Sequence, residues 1–103
     1  RIIMNMQQIL AQAQKAQREM KKALAEIDAK EFTVSKGGAV TVTMLGSYEV
    51  KKIDIDKDAF DPENKEMIED MIALAVTELT IKIREEKEAV QENITGQRGG
   101  MGF

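Results

Sequence analysis

The segment from Lys30 to Asp56 constrains the fold most, because it must reverse direction twice within a few dozen residues. Phe32 and Val34 alternate with Thr33 and Ser35, Gly37-Gly38 follows, and Val40, Val42 and Met44 then alternate with Thr41 and Thr43. A Gly-Gly pair between two alternating runs predicts a two-residue hairpin turn, since both central residues accept positive φ without a Cβ clash. Leu45-Gly46-Ser47 marks a second reversal, and Tyr48 to Asp56 supplies a third strand. These runs predict a three-stranded antiparallel meander with one apolar face and one face of Thr, Lys and Glu. So small a sheet cannot bury its apolar face alone, so the flanking segments must cover it.

The third strand changes phase part-way. Tyr48 and Val50 share one parity, and Ile53 and Ile55 share the other. A β-bulge at Lys51-Lys52 would re-phase the strand and turn Val50, Ile53 and Ile55 to the same core-facing side. The competing reading is an edge strand with apolar residues on both faces.

Both flanks read as helix. Ile3, Met6, Leu10, Ala13, Gln17, Met20, Leu24 and Ile27 recur three and four residues apart, a heptad seam with one polar member, in a run without Gly or Pro. The helix would be about 40 Å long at 1.5 Å per residue, longer than the sheet it serves. The narrow seam favours a projecting arm that pairs with another helix over a helix lying wholly on its own domain. Lys15, Arg18, Lys21 and Lys22 form the densest basic cluster, and Lys15, Arg18 and Lys22 share one face outside the seam. Glu19 and Glu26 stand four residues after Lys15 and Lys22, where they would dilute that charge. A solvated helix face is the ordinary use of such a cluster, and phosphate contact is the functional one.

Asp61-Pro62-Glu63 is a helix start: Asp61 caps, Pro62 suits the first helical position, and Glu63 and Glu66 complement the helix dipole. The second helix is expected from Pro62 to about residue 94, with Gly96 as its C-cap. Its stripe of Met67, Ile68, Met71, Ile72, Ala75, Val76, Leu79 and Ile83 is wider than a small sheet requires. Met67, Ile68, Met71 and Ile72 are therefore expected to serve a second subunit as well, together with Leu10 and Ala13 on the first helix. Past Ile83 the stripe thins among Arg84, Glu85, Glu86, Lys87 and Glu88, and this half reads as a second arm. The expected fold is α+β, one domain over residues 1–96 with helices at about 3–29 and 62–94. Residues 97–103 form a Gly-rich tail, read as flexible.

Chemistry finds little footing. With no Cys and no His there is no disulfide, thiolate metal site or imidazole catalyst, and the absence of Cys fits an intracellular protein. Asp54, Asp56 and Asp58 alternate, but Ala59 and Lys65 stand where a calcium loop needs Gly and Glu. Gly37-Gly38 lacks the Lys-Ser/Thr of a phosphate loop, and Ser35 and Ser47 have no base. Asn93-Ile94-Thr95 is a glycosylation sequon, irrelevant in the cytosol. No enzyme activity, cofactor or small-molecule substrate is expected. No run is long enough to span a membrane, and no secretory pattern is present. The chain begins on Arg1 rather than Met, which leaves Met4 and Met6 as candidate natural starts.

The net charge of -3 argues against nucleic acid, but its distribution is polarised. Residues 1–52 carry a balance of +4 and the remainder -7, so a basic surface is compatible with an acidic total.

The order of parts resembles the YbaB/EbfC family of bacterial nucleoid-associated proteins. The resemblance rests on Met6 with Gln12-Ala13-Gln14-Lys15, Gly37-Gly38 before Val40-Thr41-Val42-Thr43-Met44, Gly46, and Val50-Lys51-Lys52-Ile53-Asp54-Ile55-Asp56. It continues through Asp61-Pro62-Glu63, Met67-Ile68-Glu69-Asp70, Ala73, Ala75-Val76, Thr95-Gly96 and the glycine-rich ending. It covers nearly the whole chain, and the spacing of its parts is more specific than any one of them. It implies a tweezer-shaped homodimer with projecting helical arms that binds double-stranded DNA with little sequence preference and alters its conformation in the nucleoid of the bacterial cytoplasm. Under that reading Lys15, Arg18, Lys21 and Lys22 neutralise phosphates, aided by Arg84, Lys87 and Arg98. The rival is a coiled-coil-armed interaction or chaperone-like module, in which Met4, Met6 and Met20 hold apolar client segments.

Overall fold

The computed structural model describes the backbone of residues 2–95 and the side chains of residues 5–92. Helix α1 (Ile2–Ala29) leads into strands β1 (Glu31–Lys36), β2 (Val40–Leu45) and β3 (Val50–Ile55). A single 3-10 turn (Pro62–Asn64) then opens helix α2 (Lys65–Thr95). The strands form one antiparallel sheet in the order β1-β2-β3. The molecule is α+β and elongated, 74 × 29 × 14 Å along its principal axes. The expected Gly96 cap, the tail at 97–103 and Arg98 lie outside the described residues.

The first reversal uses the left-handed backbone its glycines allow: φ is 57° at Gly37 and 66° at Gly38. The loop is longer than the expected two residues, however, because Lys36 pairs with Val40 and leaves Ala39 in the turn. Ala39 has its own duties there. Its N–H donates to the Lys36 carbonyl, its carbonyl accepts from Asp56 N–H, and its methyl is buried in the core. At the second reversal the expected strand start is displaced. Tyr48 sits in the turn at φ 73°, a left-handed conformation rare for an aromatic residue, and β3 begins at Val50.

The bulge falls where the phase break required it. Thr43 pairs with Lys52 and Met44 with Val50, so Lys51 is the extra residue. Val50, Ile53 and Ile55 thereby stand opposite Met44, Val42 and Val40 on one face. On the other face Thr33 and Thr43 share a hydroxyl hydrogen bond of 3.3 Å, and Ser35 and Thr41 one of 3.1 Å. Lys51 reaches across that face to pair with Glu31.

Helix α2 lies on β1 and β2. The core between them contains Phe32, Val40, Val42, Met44, Ile68, Ala75, Leu79 and Ile83, joined by Ile27 at the end of α1. Burial of side chains of this size stabilises by about 1.5–3 kcal/mol each. Asp61 caps the start of α2 as expected, its carboxylate accepting from Glu63 N–H at 2.8 Å. The first turn is 3-10 because Asn64 N–H bonds the Asp61 carbonyl three residues back.

The outer half of α2 runs beside the C-terminal half of α1. Three features fix the end of α1 against the β2–β3 turn and α2. Gly46 presses so close to α1 that a Cβ there would stand 1.8 Å from the Ile27 carbonyl oxygen, so no side chain fits. The N–H groups of Gly46 and Ser47 donate to the carbonyls of Lys30 and Asp28, satisfying acceptors left open at a helix end. The Lys87 ammonium sits 2.9 Å from the Asp28 carboxylate and 4.6 Å from the centre of the Tyr48 ring.

Candidate nucleic-acid interface

The four cations of α1 are all exposed: Lys15, Arg18, Lys21 and Lys22 occupy consecutive turns, the last two alongside the part of the helix that packs on α2. Met20, Ala23, Leu24 and Ile27 are the covered side of this part of the helix. At 100° per residue Lys15, Arg18 and Lys22 lie on the opposite side, facing solvent. The i,i+4 spacing offered Glu19 and Glu26 as partners, yet neither closes an ion pair with Lys15 or Lys22; of that spacing, Lys65–Glu69 at 2.7 Å is the pair that forms. Among the described residues the α1 cluster makes no ion pair, so its charge is available to an incoming anion.

The cations of α2 divide. Arg84 is exposed and makes no ion pair among the described residues. Lys87 is held between Asp28 and Tyr48, with only 23% of its side chain exposed. Drawing it to a phosphate would cost both contacts, so its place in the fold is that of a clamp between the two helices. Lys30 and Lys36 are likewise engaged, with Glu86 at 2.7 Å and with Glu78.

The residues expected to serve a second subunit are spread unevenly. Ile68 is buried in the chain's own core, Met71 and Ile72 are half-buried against it, and Met67 is exposed. Leu10 and Ala13 are exposed near the start of α1. The larger uncovered apolar surface is one that sequence reasoning placed inside. Val50 and Ile53 face the core side of the sheet but are 43% and 44% exposed, because α2 covers β1 and β2 and stops short of β3. Phe60, Leu74 and Ile81 are also exposed. The signal for the α2 residues was present in the sequence: Met67, Leu74 and Ile81 recur every seven residues on a stripe one step round from the core stripe.

No group of acidic residues among those described could hold a metal ion, and no described helix is long and apolar enough to cross a membrane. What the arrangement offers is charge and shape: an exposed basic helix face on a narrow arm, and a body with an uncovered apolar sheet edge.

Comparison with known proteins agrees with the resemblance in the sequence. The family model described as the YbaB/EbfC DNA-binding family matches residues 3–98. A nucleoid-associated protein of Malacoplasma penetrans is 41% identical over 87 residues, covering 84% of this chain and 93% of its own. One from Lachnospira eligens is 46% identical over 79 residues, 76% of this chain and 68% of its own. One from Ruminiclostridium cellulolyticum is 38% identical over 98 residues, 94% of this chain and 85% of its own. The matched region takes in both helices and all three strands, and on that basis the chain belongs to the YbaB/EbfC family, a DNA-binding rather than an enzyme family.

Proposed function

We propose that this chain is a nucleoid-associated protein that binds duplex DNA as a homodimer, with little sequence preference, and changes the path of the DNA it holds. The observation that carries this reading is the exposed cluster Lys15, Arg18, Lys21 and Lys22 on α1, without an ion pair among the described residues and set on an arm of a DNA-binding family member. Arg84 adds to it from α2, and Arg98, outside the described residues, adds a further cation. Lys87 contributes by holding the two helices together rather than by touching phosphate. About four phosphates engaged per arm pair gives a salt slope near -0.9 for each. Gln7, Gln8, Gln12 and Gln14 extend the arm with hydrogen-bond donors that serve any sequence. Nothing in the arm inserts a recognition helix in the manner of a helix-turn-helix, which is the reason for expecting weak sequence preference. The protein's place is then the nucleoid of the bacterial cytoplasm, with effects on gene expression and DNA protection following from altered DNA shape.

The homodimer is supported by the uncovered faces of Val50 and Ile53 and by the exposed stripe Met67, Leu74 and Ile81. In a two-fold dimer the β3 face of one copy would be covered by the α2 stripe of the other, and the reverse, so both uncovered surfaces are buried at once.

Charge reversal tests the assignment. The double variant Lys15→Glu with Lys22→Glu alters exposed side chains only, so it should fold and associate as the parent does. Its affinity for duplex DNA should fall by roughly tenfold or more, with a shallower salt dependence. Unchanged affinity would show that the basic face lies elsewhere. Binding of an apolar peptide that the charge reversal leaves intact, with DNA binding absent from the parent, would favour the interaction-module reading.

A further inference from the structure

We infer that the free end of α1 is a second self-association surface, through which dimers of this chain join to one another. The inference rests on the homodimer proposed above and concerns a part of the molecule outside it. The α1 seam has two halves. Met20, Leu24 and Ile27 are covered at the junction with α2, while Met6, Leu10 and Ala13 continue the same stripe and no described residue covers them; Leu10 is 59% exposed and Ile9 beside it 63%. Leu10 lies about 25 Å up the helix from Ile27 at 1.5 Å per residue, well away from the β3 face.

Charge identifies the occupant. The run Ile2–Gln14 contains no charged residue, in a chain that is 32% charged. The Met6, Ile9, Leu10 and Ala13 stripe carries no cation to pull on phosphate and no charge of either sign with which to select a charged partner, whatever hydrogen bonds the glutamines beside it give to DNA. A second copy of itself, by contrast, meets the surface without repulsion and with identical Gln, Ala and aliphatic residues. Antiparallel pairing about a two-fold axis between positions 9 and 10 sets Met6 of one copy against Ala13 of the other, and Ile9 against Leu10. Each contact then joins a large side chain to a small one or two branched chains to each other, as a helix–helix seam requires.

Two heptads make a weak pair in isolation. Dimers held side by side on one duplex, or on two neighbouring duplexes, see one another at effective concentrations on the order of millimolar, where a weak contact suffices. Tip pairing therefore links protein-coated DNA without opposing the release of free dimers.

Sedimentation velocity over a wide concentration range tests this. The wild-type chain should pass from two chains toward four as concentration rises. Leu10→Glu, at an exposed helical position, should keep its helix content and remain a dimer throughout, and an equal mixture of Leu10→Glu with Leu10→Lys should recover the larger species. Ile53→Glu separates this inference from the body dimer: its tips should still form pairs, and those pairs should vanish on adding Leu10→Glu. The inference is overturned if wild type never exceeds two chains, if Leu10→Glu still forms the larger species, or if Leu10→Glu alone becomes a monomer, which would assign the tip to the body dimer.

Discussion

Strands β2 and β3 present the same kind of residue to the same side of one sheet and meet opposite fates. Val42 and Met44 on β2 are 0% and 2% exposed, while their direct partners on β3, Ile53 and Val50, remain more than two-fifths exposed. Hydrophobicity does not separate the two strands; the position of α2 does, since the helix crosses β1 and β2 and leaves Val50 and Ile53 of β3 uncovered. A bulge at Lys51 keeps the β3 residues aimed at that uncovered side. A strand that needed only to finish a monomer could have placed its polar residues there. β2 thus serves the folding of one chain, and the apolar face of β3 is left for the second copy proposed above.

The largest effect is expected from weakening β2. Met44→Ala should lower the free energy of unfolding by about 2–5 kcal/mol, as read from urea denaturation, with the loss present at every protein concentration. Next comes Ile53→Glu on β3. It should shift the mass measured in solution from dimer to monomer, at about 2 kcal/mol of association energy for a central interface position. Its unfolding at high dilution should stay close to that of the parent. A large, concentration-independent loss from Ile53→Glu would erase the distinction between the strands. The smallest effect is expected on the opposite face. Thr43→Val keeps the β-branch and removes the hydroxyl bond to Thr33, and should cost no more than about 0.2–1 kcal/mol in the same denaturation assay.

The architecture was legible because local signals agreed with one another. Alternation over Phe32–Val34 and Val40–Met44, the phase break at Lys51 and the Asp61-Pro62 cap each describe their own neighbourhood and each found its element, while the paired glycines found their turn with Ala39 added to it. What escaped depended on residues distant in sequence. The inward-facing side of β3 can be read from parity, but its exposure follows from where a helix more than ten residues later comes to rest. Lys87 reads as one more cation on a charged helix until folding sets it over Tyr48 and against Asp28. Tyr48 itself looked like a strand residue, yet it takes a left-handed turn conformation two residues after Gly46, which packs against the end of α1. The basic face of α1 could be found from helical geometry alone. Its freedom from Glu19 and Glu26 could not, because spacing permits an ion pair without making one.

The central claim, that a dimer of this chain grips DNA through the phosphates, is tested most directly by fluorescence-anisotropy titration of labelled, unrelated duplexes at low and moderate salt, with the protein's mass determined in the same buffer. Saturable binding by a dimer to every duplex is expected, with similar affinities that fall as salt rises. Absence of binding at low salt, or tight binding to one duplex alone that salt leaves unchanged, would contradict it.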